Sequence, residues 1–275
     1  MKNRILKVKC ITNMHMGSGD VNFNIVDCEV ERDPVTNFPT MYASGVKGAI
    51  RDYYKDNRKD DSKYISKEVI FGKASSNDDG NAGSVKFLNG QLLFQAVRAS
   101  SGNEIYYLVT CKTALMEYAK LIYQISGEDI LKYIDKIESN SVYGAKEFGI
   151  EGKKYNNVLK IDDSDSIMKI IKLFVEECDI SKVVIVPDED FKNIPLPVIA
   201  RNQLNENGIS KFLWYEEYVP HESIFYIPLL SNNDDELNAL VNYISDNSLI
   251  QFGGNASIGC GLCEVKVIGG QNNNE

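Results

Sequence analysis

The chain has 275 residues, 43% of them hydrophobic and 25% charged, which is ordinary globular usage and excludes wholesale disorder. Lys and Arg number 30 against 39 Asp and Glu, a net charge of −9. That excludes a uniformly basic nucleic-acid binder but not a local basic groove, because phosphate binding follows the local field and backbone donors. No apolar run reaches the roughly 18 residues of a spanning helix, and Met1–Lys9 alternates charged with apolar residues, so neither a membrane segment nor a leader is expected. Six scattered cysteines suit a reducing cytoplasmic setting better than a disulfide scaffold.

Residues 4–12 read as a strand, followed by the Gly-rich turn His15-Met16-Gly17-Ser18-Gly19-Asp20. Residues 23–31 alternate and predict a second strand carrying Asp27. A helix is expected over 44–57 with Ser44 as its N-cap. Residues 73–84 are rich in Gly, Asn, Asp and Ser and read as an exposed loop. Strands at 85–97 and 104–110 form a hairpin-like pair, and helical spacing returns at 113–125 and 164–177. Val183–Val186 reads as a short buried strand. The breaker-rich stretch 187–211 suggests an arm or extended hairpin with Arg201 on it. Strands at 224–230 and 258–268 enclose a helix at 234–246, and the polar tail 269–275 frays. The β-α-β-β-α-β order with insertions predicts an α+β fold with an RRM/ferredoxin-like core, a single domain over 1–268.

Several constellations carry chemistry, each with a plainer alternative. Gly253, Gly254, Asn255, Ser257, Gly259 and Gly261 lie in the densest glycine cluster, which suits either a phosphate cradle or a tight bend into the last strand. Lys47 and Arg51 are four apart on a helix beginning near Ser44 and Gly45. They form either an anion site or a solvated basic face. His15, beside Gly17, Ser18 and Gly19, is either a ligand-contacting or a structural loop histidine. Asp27 is either a general base or hard-metal ligand, or a strand-edge carboxylate facing water. Cys260 and Cys263 have half-site metal spacing without a partner pair, and residues three apart on a strand point to opposite faces. The aromatic run Phe212–Tyr218 holds the only Trp, with Glu216 and Glu217 inside it.

Taken together, Met14-His15-Met16-Gly17-Ser18-Gly19, the Arg32–Pro39 segment and Ser44–Arg51 resemble the N-terminal signature of RAMP superfamily proteins of CRISPR systems. Leu196–Asn202, Leu213–Pro220 and Ile258–Gly261 narrow the resemblance to the repeated backbone subunits of type III-B (Cmr) effectors, over about residues 5–268. The resemblance implies copies polymerised along a CRISPR guide RNA beside other Cmr-type subunits. Each copy projects a thumb, matching 188–210, across the duplex with target RNA. It implies Asp27, with Asp20 the weaker match, as the residue of Mg²⁺- or other divalent-metal-dependent target cleavage. His15 and Glu217 are secondary candidates. RNA contact would fall to Gly17, Ser18, Gly19, Ser44, Lys47, Arg51, Arg201 and the 253–261 loop. The competing readings are a non-catalytic RNA scaffold of the same superfamily and a nucleotide-binding small-molecule enzyme.

Overall fold

The computed structural model describes residues 1–19, 25–54, 65–73, 80–161 and 166–269. Asp20, the start of the 23–31 segment, the end of the 44–57 helix and most of the tail lie outside them. The fold is a mixed α/β arrangement around one large sheet.

The principal elements are β1 (Lys2–Cys10), α1 (Ala43–Tyr53), β2 (Gly90–Ser101), β3 (Tyr106–Cys111), α2 (Lys112–Ser126), α3 (Ser166–Phe174), β4 (Val183–Val186), β5 (Val198–Leu204), β6 (Ser210–Glu217), β7 (Ile224–Ser231), α4 (Asp234–Asp246), β8 (Leu249–Gln251) and β9 (Leu262–Gly269). The sheet path runs β4-β3-β2-β7-β1-β9-β8. β1 pairs antiparallel with β7 from Lys2↔Ser231 to Lys9↔Ile224 and with β9 down to Cys10↔Cys263. β2 serves several partners, the short strands Thr40–Met41 and Phe148–Ile150 among them. Its first half pairs with β7 and its second with β3, where Gln95 faces Val109 and Arg98 faces Tyr106.

Strand alternation divides the core in two. Leu6, Val8 and Cys10 of β1 and Phe225, Ile227 and Leu229 of β7 face Val46 and Ile50 of α1 and Leu237, Leu240 and Ile244 of α4. The opposite parity, Ile5, Ile224 and Tyr226, meets Leu115 and Tyr118 of α2 and Ile171 and Phe174 of α3. This is the period-2 pattern of strands buried on both faces.

β5 and β6 leave this sheet and form a two-stranded hairpin, from Val198↔Glu217 to Leu204↔Ser210. The hairpin is exposed along most of its length, with Leu204, Ile209, Phe212 and Leu213 all more than half exposed. It begins later than the expected arm at 187–211. Asp188–Lys192 is a short helix, and Phe191, Ile194 and Leu196 are buried in the body. Pro195 and Pro197 therefore end the packed segment instead of decorating the projection. The expected helix also starts one residue early: Tyr42 is the N-cap, Ser44 lies in the first turn, and Asn89 Oδ1 accepts the Ala43 N–H. Side-chain capping arrives from a distant loop, a tertiary contact invisible to local spacing. The strand expected at 23–31 is absent from the described part, where only Cys28 and Val30 make isolated bridges.

Candidate RNA-cleavage site at the hairpin base

The segment 25–32 lies against the hairpin, not in the sheet. Asp27 and Cys28 N–H both donate to the Tyr215 carbonyl (3.1 Å each), and Glu217 N–H donates to the Cys28 carbonyl (2.9 Å). The Asp27 carboxylate in turn accepts the Tyr215 N–H at 2.8 Å. Asp27 is thus half-buried and pinned to β6 through main chain and side chain. One oxygen makes that bond, and the carboxylate keeps further lone pairs for a ligand.

Glu217 fastens the same segment from the other side. Its carboxylate accepts the Val30 N–H at 3.1 Å and pairs with Arg32. Its main-chain carbonyl accepts from Nδ1 of His15 at 2.7 Å. A carbonyl only accepts, so Nδ1 carries a proton, which leaves Nε2 as the nitrogen that can offer a lone pair. Gly254 N–H donates to the His15 carbonyl at 2.9 Å. A Cβ on Gly17 would lie 2.8 Å from Nε2, and one on Gly253 would strike the His15 carbonyl. Both glycines are required by this close approach, and Gly253 also by its φ of +76°. His15 is therefore a built, nearly buried residue of the site, beside Tyr218 at 5.5 Å between ring centroids.

Sequence reasoning passed over Glu216, which stands beside this histidine. It is 6% exposed and accepts from Trp214 Nε1 (2.7 Å), Asn255 Nδ2 (2.9 Å) and the Tyr218 hydroxyl, with Arg201 Nε at 3.9 Å. Burial pushes its pKa up, but the Trp214 and Tyr218 hydrogen bonds and the Arg201 charge outweigh burial and hold the carboxyl below its ordinary value. Tyr218 responds in the opposite sense. Burial and the adjoining carboxylate push its phenol up, so it stays a donor. The available signal was the alternation in β6: Trp214 and Glu216 share a face, and Tyr218 continues it.

The glycine cluster is partly committed inside the molecule. Gly254 and Gly261 N–H donate to His15 and Asn13 carbonyls, and the Asn255 side chain serves Glu216, while Ser257 and Gly259 remain exposed. Gly17, Gly45, Gly253 and Gly254 line one cavity of about 600 Å³. Its rim carries Glu31 and Asp52, and burial raises the Glu31 pKa despite the Tyr42 N–H that it accepts. Lys47 and Arg51 do not line this cavity. Val46 and Ile50 are buried, each worth about 1.5–3 kcal/mol, which fixes the helix rotation. At about 100° per residue the cations then emerge on the flank opposite Gly45, Ala49 and Asp52. Among the described residues neither cation has an ion-pair or side-chain hydrogen-bond partner. Ser18 and Gly19 lie on the partly exposed turn leading away from His15.

No group of three or more His, Cys, Asp or Glu side chains gathers as a metal cage among the described residues. Asp27 with its spare lone pairs fits the mode in which Mg²⁺ takes one carboxylate and fills its shell with water and substrate phosphate oxygens. No helix among the described residues is long and apolar enough to cross a membrane. The six cysteines are unbridged. Cys263 is buried and Cys260 is half-buried, and no metal-ligand cluster includes them among the described residues.

The sequence profile of the RAMP superfamily matches residues 7–264. The Cmr endoribonuclease Cmr4 of Pyrococcus furiosus is 25% identical over 96% of this chain and 95% of that protein. The CMR subunit Cmr4 of Saccharolobus solfataricus is 23% identical over 94% of each. Among solved structures, a subunit of the type III-B Cmr-beta complex bound to cognate target RNA aligns with a TM-score of 0.78 at 22% identity, covering 97% of both chains. Oligomeric Cmr4 from Pyrococcus furiosus aligns at 0.71 and 21%, covering 99% of this chain and all of that one. At these identities the structural matches establish the fold.

Proposed function

Because the chain belongs to the RAMP superfamily, we propose that it is the repeated guide-RNA-binding backbone subunit of a type III-B (Cmr) CRISPR effector, and that it cleaves target RNA at regular intervals. Its partners are guide RNA, target RNA, further copies of itself in a filament and other Cmr-type subunits. The curated relatives span the whole chain, and one carries the endoribonuclease name. The four strands β9-β1-β7-β2, with α1 after β1 and α4 after β7, stand in the 4-1-3-2 order. That order supports an RRM/ferredoxin-like core. The exposed β5–β6 hairpin is the thumb, and the unbridged cysteines accord with a cytoplasmic setting.

The observation that carries the cleavage reading is the convergence of Asp27 and His15 on the root of an exposed apolar hairpin, each held by a hydrogen bond to β6. RNA brings its own nucleophile, the 2′-OH, but stacked A-form geometry keeps that oxygen out of line with the scissile phosphorus. The exposed apolar side chains on the two faces of the thumb, Phe212 and Leu213, unstack a nucleotide at a cost of a few kcal/mol and free it to align. The 2′-oxygen then attacks phosphorus while the bond to the 5′-oxygen breaks. The 2′-OH proton passes to a base and the 5′-oxygen takes a proton from water, leaving a 2′,3′-cyclic phosphate and a 5′-hydroxyl. Nε2 of His15, the lone-pair nitrogen, positions the 2′-OH. Asp27 would hold a divalent cation, Mg²⁺ or a similar ion, which would supply positive charge to stabilise the transition state. Glu217 positions both groups without touching the RNA. Lys47 and Arg51 take guide phosphates on the open flank of α1, and Arg201 meets the strand along the thumb. Gly17, Ser18, Gly19, Ser44, Gly253, Gly254, Ser257 and Gly259 let the RNA backbone approach closely, whereas Gly261 is buried against the Phe252 carbonyl and is not an RNA contact.

The bond from Tyr215 N–H to Asp27 favours a second reading, in which Asp27 is a structural latch and the chain a non-catalytic scaffold. The reconstituted complex with matched target RNA separates the two. Products at regular spacing, stopped by EDTA and by a 2′-deoxy nucleotide at the scissile position, support cleavage. An intact target on a fully assembled complex overturns it.

A further inference from the structure

A cavity of about 480 Å³, separate from the hairpin root, opens between α2 and the strands β2 and β7, within the range of small-ligand sites. Phe87, Leu121 and Pro228 give it apolar walls. Three polar side chains of the lining come together there: Gln91 of β2, Tyr226 of β7 and Glu117 of α2. Gln91 and Tyr226 are cross-strand partners, so their side chains share one face of the sheet.

Two of these groups lack partners. Tyr226 is 2% exposed, and its ring is held between Tyr118 at 5.1 Å and Phe174 at 6.4 Å. Its hydroxyl is not sealed off but opens into the cavity, and it makes no hydrogen bond among the described residues. Burial and the nearby Glu117 charge push the phenol up, so it keeps its proton and offers its lone pairs. Glu117 is half-buried and has no ion pair or hydrogen bond among the described residues; Lys120, three residues on, attracts it only at a distance. Burial and the Asp33 charge push its carboxyl up. A carboxylate drawn out of water without a cation is costly, and buried polar groups without partners call for a reason.

The group missing from this cavity is a cation rich in N–H donors. An uncompensated carboxylate repels a phosphate, which sets the cavity apart from an RNA groove. A guanidinium presents five donors in one plane and is more weakly hydrated than an ammonium, so it suits a site with apolar walls. The Glu117 carboxylate can take two parallel N–H bonds, and the Tyr226 oxygen and the Gln91 carbonyl can accept others. An alkyl stem then lies along Leu121 and Pro228. We propose that this cavity is a guanidinium-binding site, with Glu117 as the paired anion and Tyr226 and Gln91 as flanking acceptors. The group arrives either on an arginine side chain of a neighbouring protein subunit or as a free alkylguanidine. The proposal does not depend on the cleavage reading.

The test titrates the full chain with ethylguanidinium chloride, using butylammonium chloride and sodium chloride as controls, and follows heat of binding and oligomeric state together. Wild type is expected to bind one ethylguanidinium per chain, more tightly than butylammonium. Glu117→Gln keeps the shape, removes the charge and should weaken binding about tenfold or more, the loss of a charge-assisted bond. Tyr226→Phe keeps the packed ring and should weaken it about threefold, the loss of one neutral bond. The same variants are then built into the reconstituted complex, and its composition is read by native mass spectrometry. A subunit or copy lost both in Glu117→Gln and in wild type under excess ethylguanidinium identifies the ligand as a neighbour's arginine. An intact complex that still binds one ethylguanidinium per copy identifies it as a free alkylguanidine. A wild type that neither binds ethylguanidinium nor changes its oligomeric state in it overturns the site. Equal affinity in wild type and both variants overturns it as well.

Discussion

Replacing Glu216 tests whether the hairpin root is held as a unit. Its two carboxylate oxygens accept from three donors, Trp214 on one and Tyr218 and Asn255 on the other, with Arg201 at 3.9 Å. Glu216→Gln keeps one acceptor oxygen but turns an NH₂ toward a donor, so one charge-assisted bond is lost, about 1.5–3 kcal/mol. Glu216→Ala loses all three. At about 1.5 kcal/mol each, the low end for bonds to a charged group, with Arg201 discounted for its solvent exposure, the loss is about 4.5 kcal/mol. For a chain of this length that lowers Tm by roughly 6 °C or more. The pH dependence follows from the same carboxyl. Its folded pKa lies below its unfolded value, so its contribution is complete above the ordinary glutamate range and disappears as pH falls through the lowered value. Thermal unfolding of wild type and Glu216→Gln between neutral pH and pH 3 should therefore converge on acidification. Cleavage by the assembled variant should drop by up to about 10²-fold, since Tyr218 and the 253–255 loop that flank His15 lose their anchor. An Ala variant within about 0.5 kcal/mol of wild type, or a stability gap that widens in acid, would refute the reasoning.

Changing Lys47 and Arg51 together to Ala should weaken RNA binding and reduce the slope of log affinity against log salt by roughly 1.4, two contacts at about 0.7 each on single strands. An unchanged slope returns them to a solvated face. Gly17→Ala should lower Tm modestly and slow cleavage, because the added methyl displaces the nearly buried His15 ring from its bond to the Glu217 carbonyl; full activity would separate His15 from the chemistry. Trimming the hairpin between Asn202 and Ser210 to a tight turn should preserve folding and guide binding, since that stretch is exposed and pairs only within itself. Gel analysis of the products should then show loss of the regular ladder, and a surviving ladder places the unstacking element elsewhere.

Periodicity made the sheet-forming strands and the long helices readable, because β1, β7, α2 and α4 alternate or repeat in step with the two faces that bury them. Where the structure departs from expectation, a distant contact outweighs the local pattern. Residues 25–31 alternate like a strand, yet their hydrogen bonds go to Tyr215 and Glu217 at the hairpin root. Ser44 looks like a cap, but Asn89 and Glu31 reach the first N–H groups instead. The arm was legible in its breakers, and its limits were not, because Ile194 and Leu196 read equally well as wedge or as core. Asp27 was visible as a carboxylate interrupting an apolar strand and His15 as a histidine in a Gly-rich turn, Glu217 entered only through the family resemblance, and the structure brings all three to the hairpin root. Glu216 stayed hidden because its partners lie on separate segments, Asn255 in the glycine loop and Arg201 across the hairpin.

The central claim is that Asp27 carries target cleavage. Its most direct test is the initial cleavage rate of target RNA by complexes assembled with wild type, Asp27→Ala and Asp27→Asn, alongside target affinity. Loss of a group that acts in the transition state lowers the rate while binding holds. Both variants should assemble and bind target with wild-type affinity and give no ladder, Asn as well as Ala because it keeps the shape and lacks the charge. Normal cleavage by the Asp27→Ala complex would contradict the account and leave Asp27 as a latch for the Tyr215 N–H.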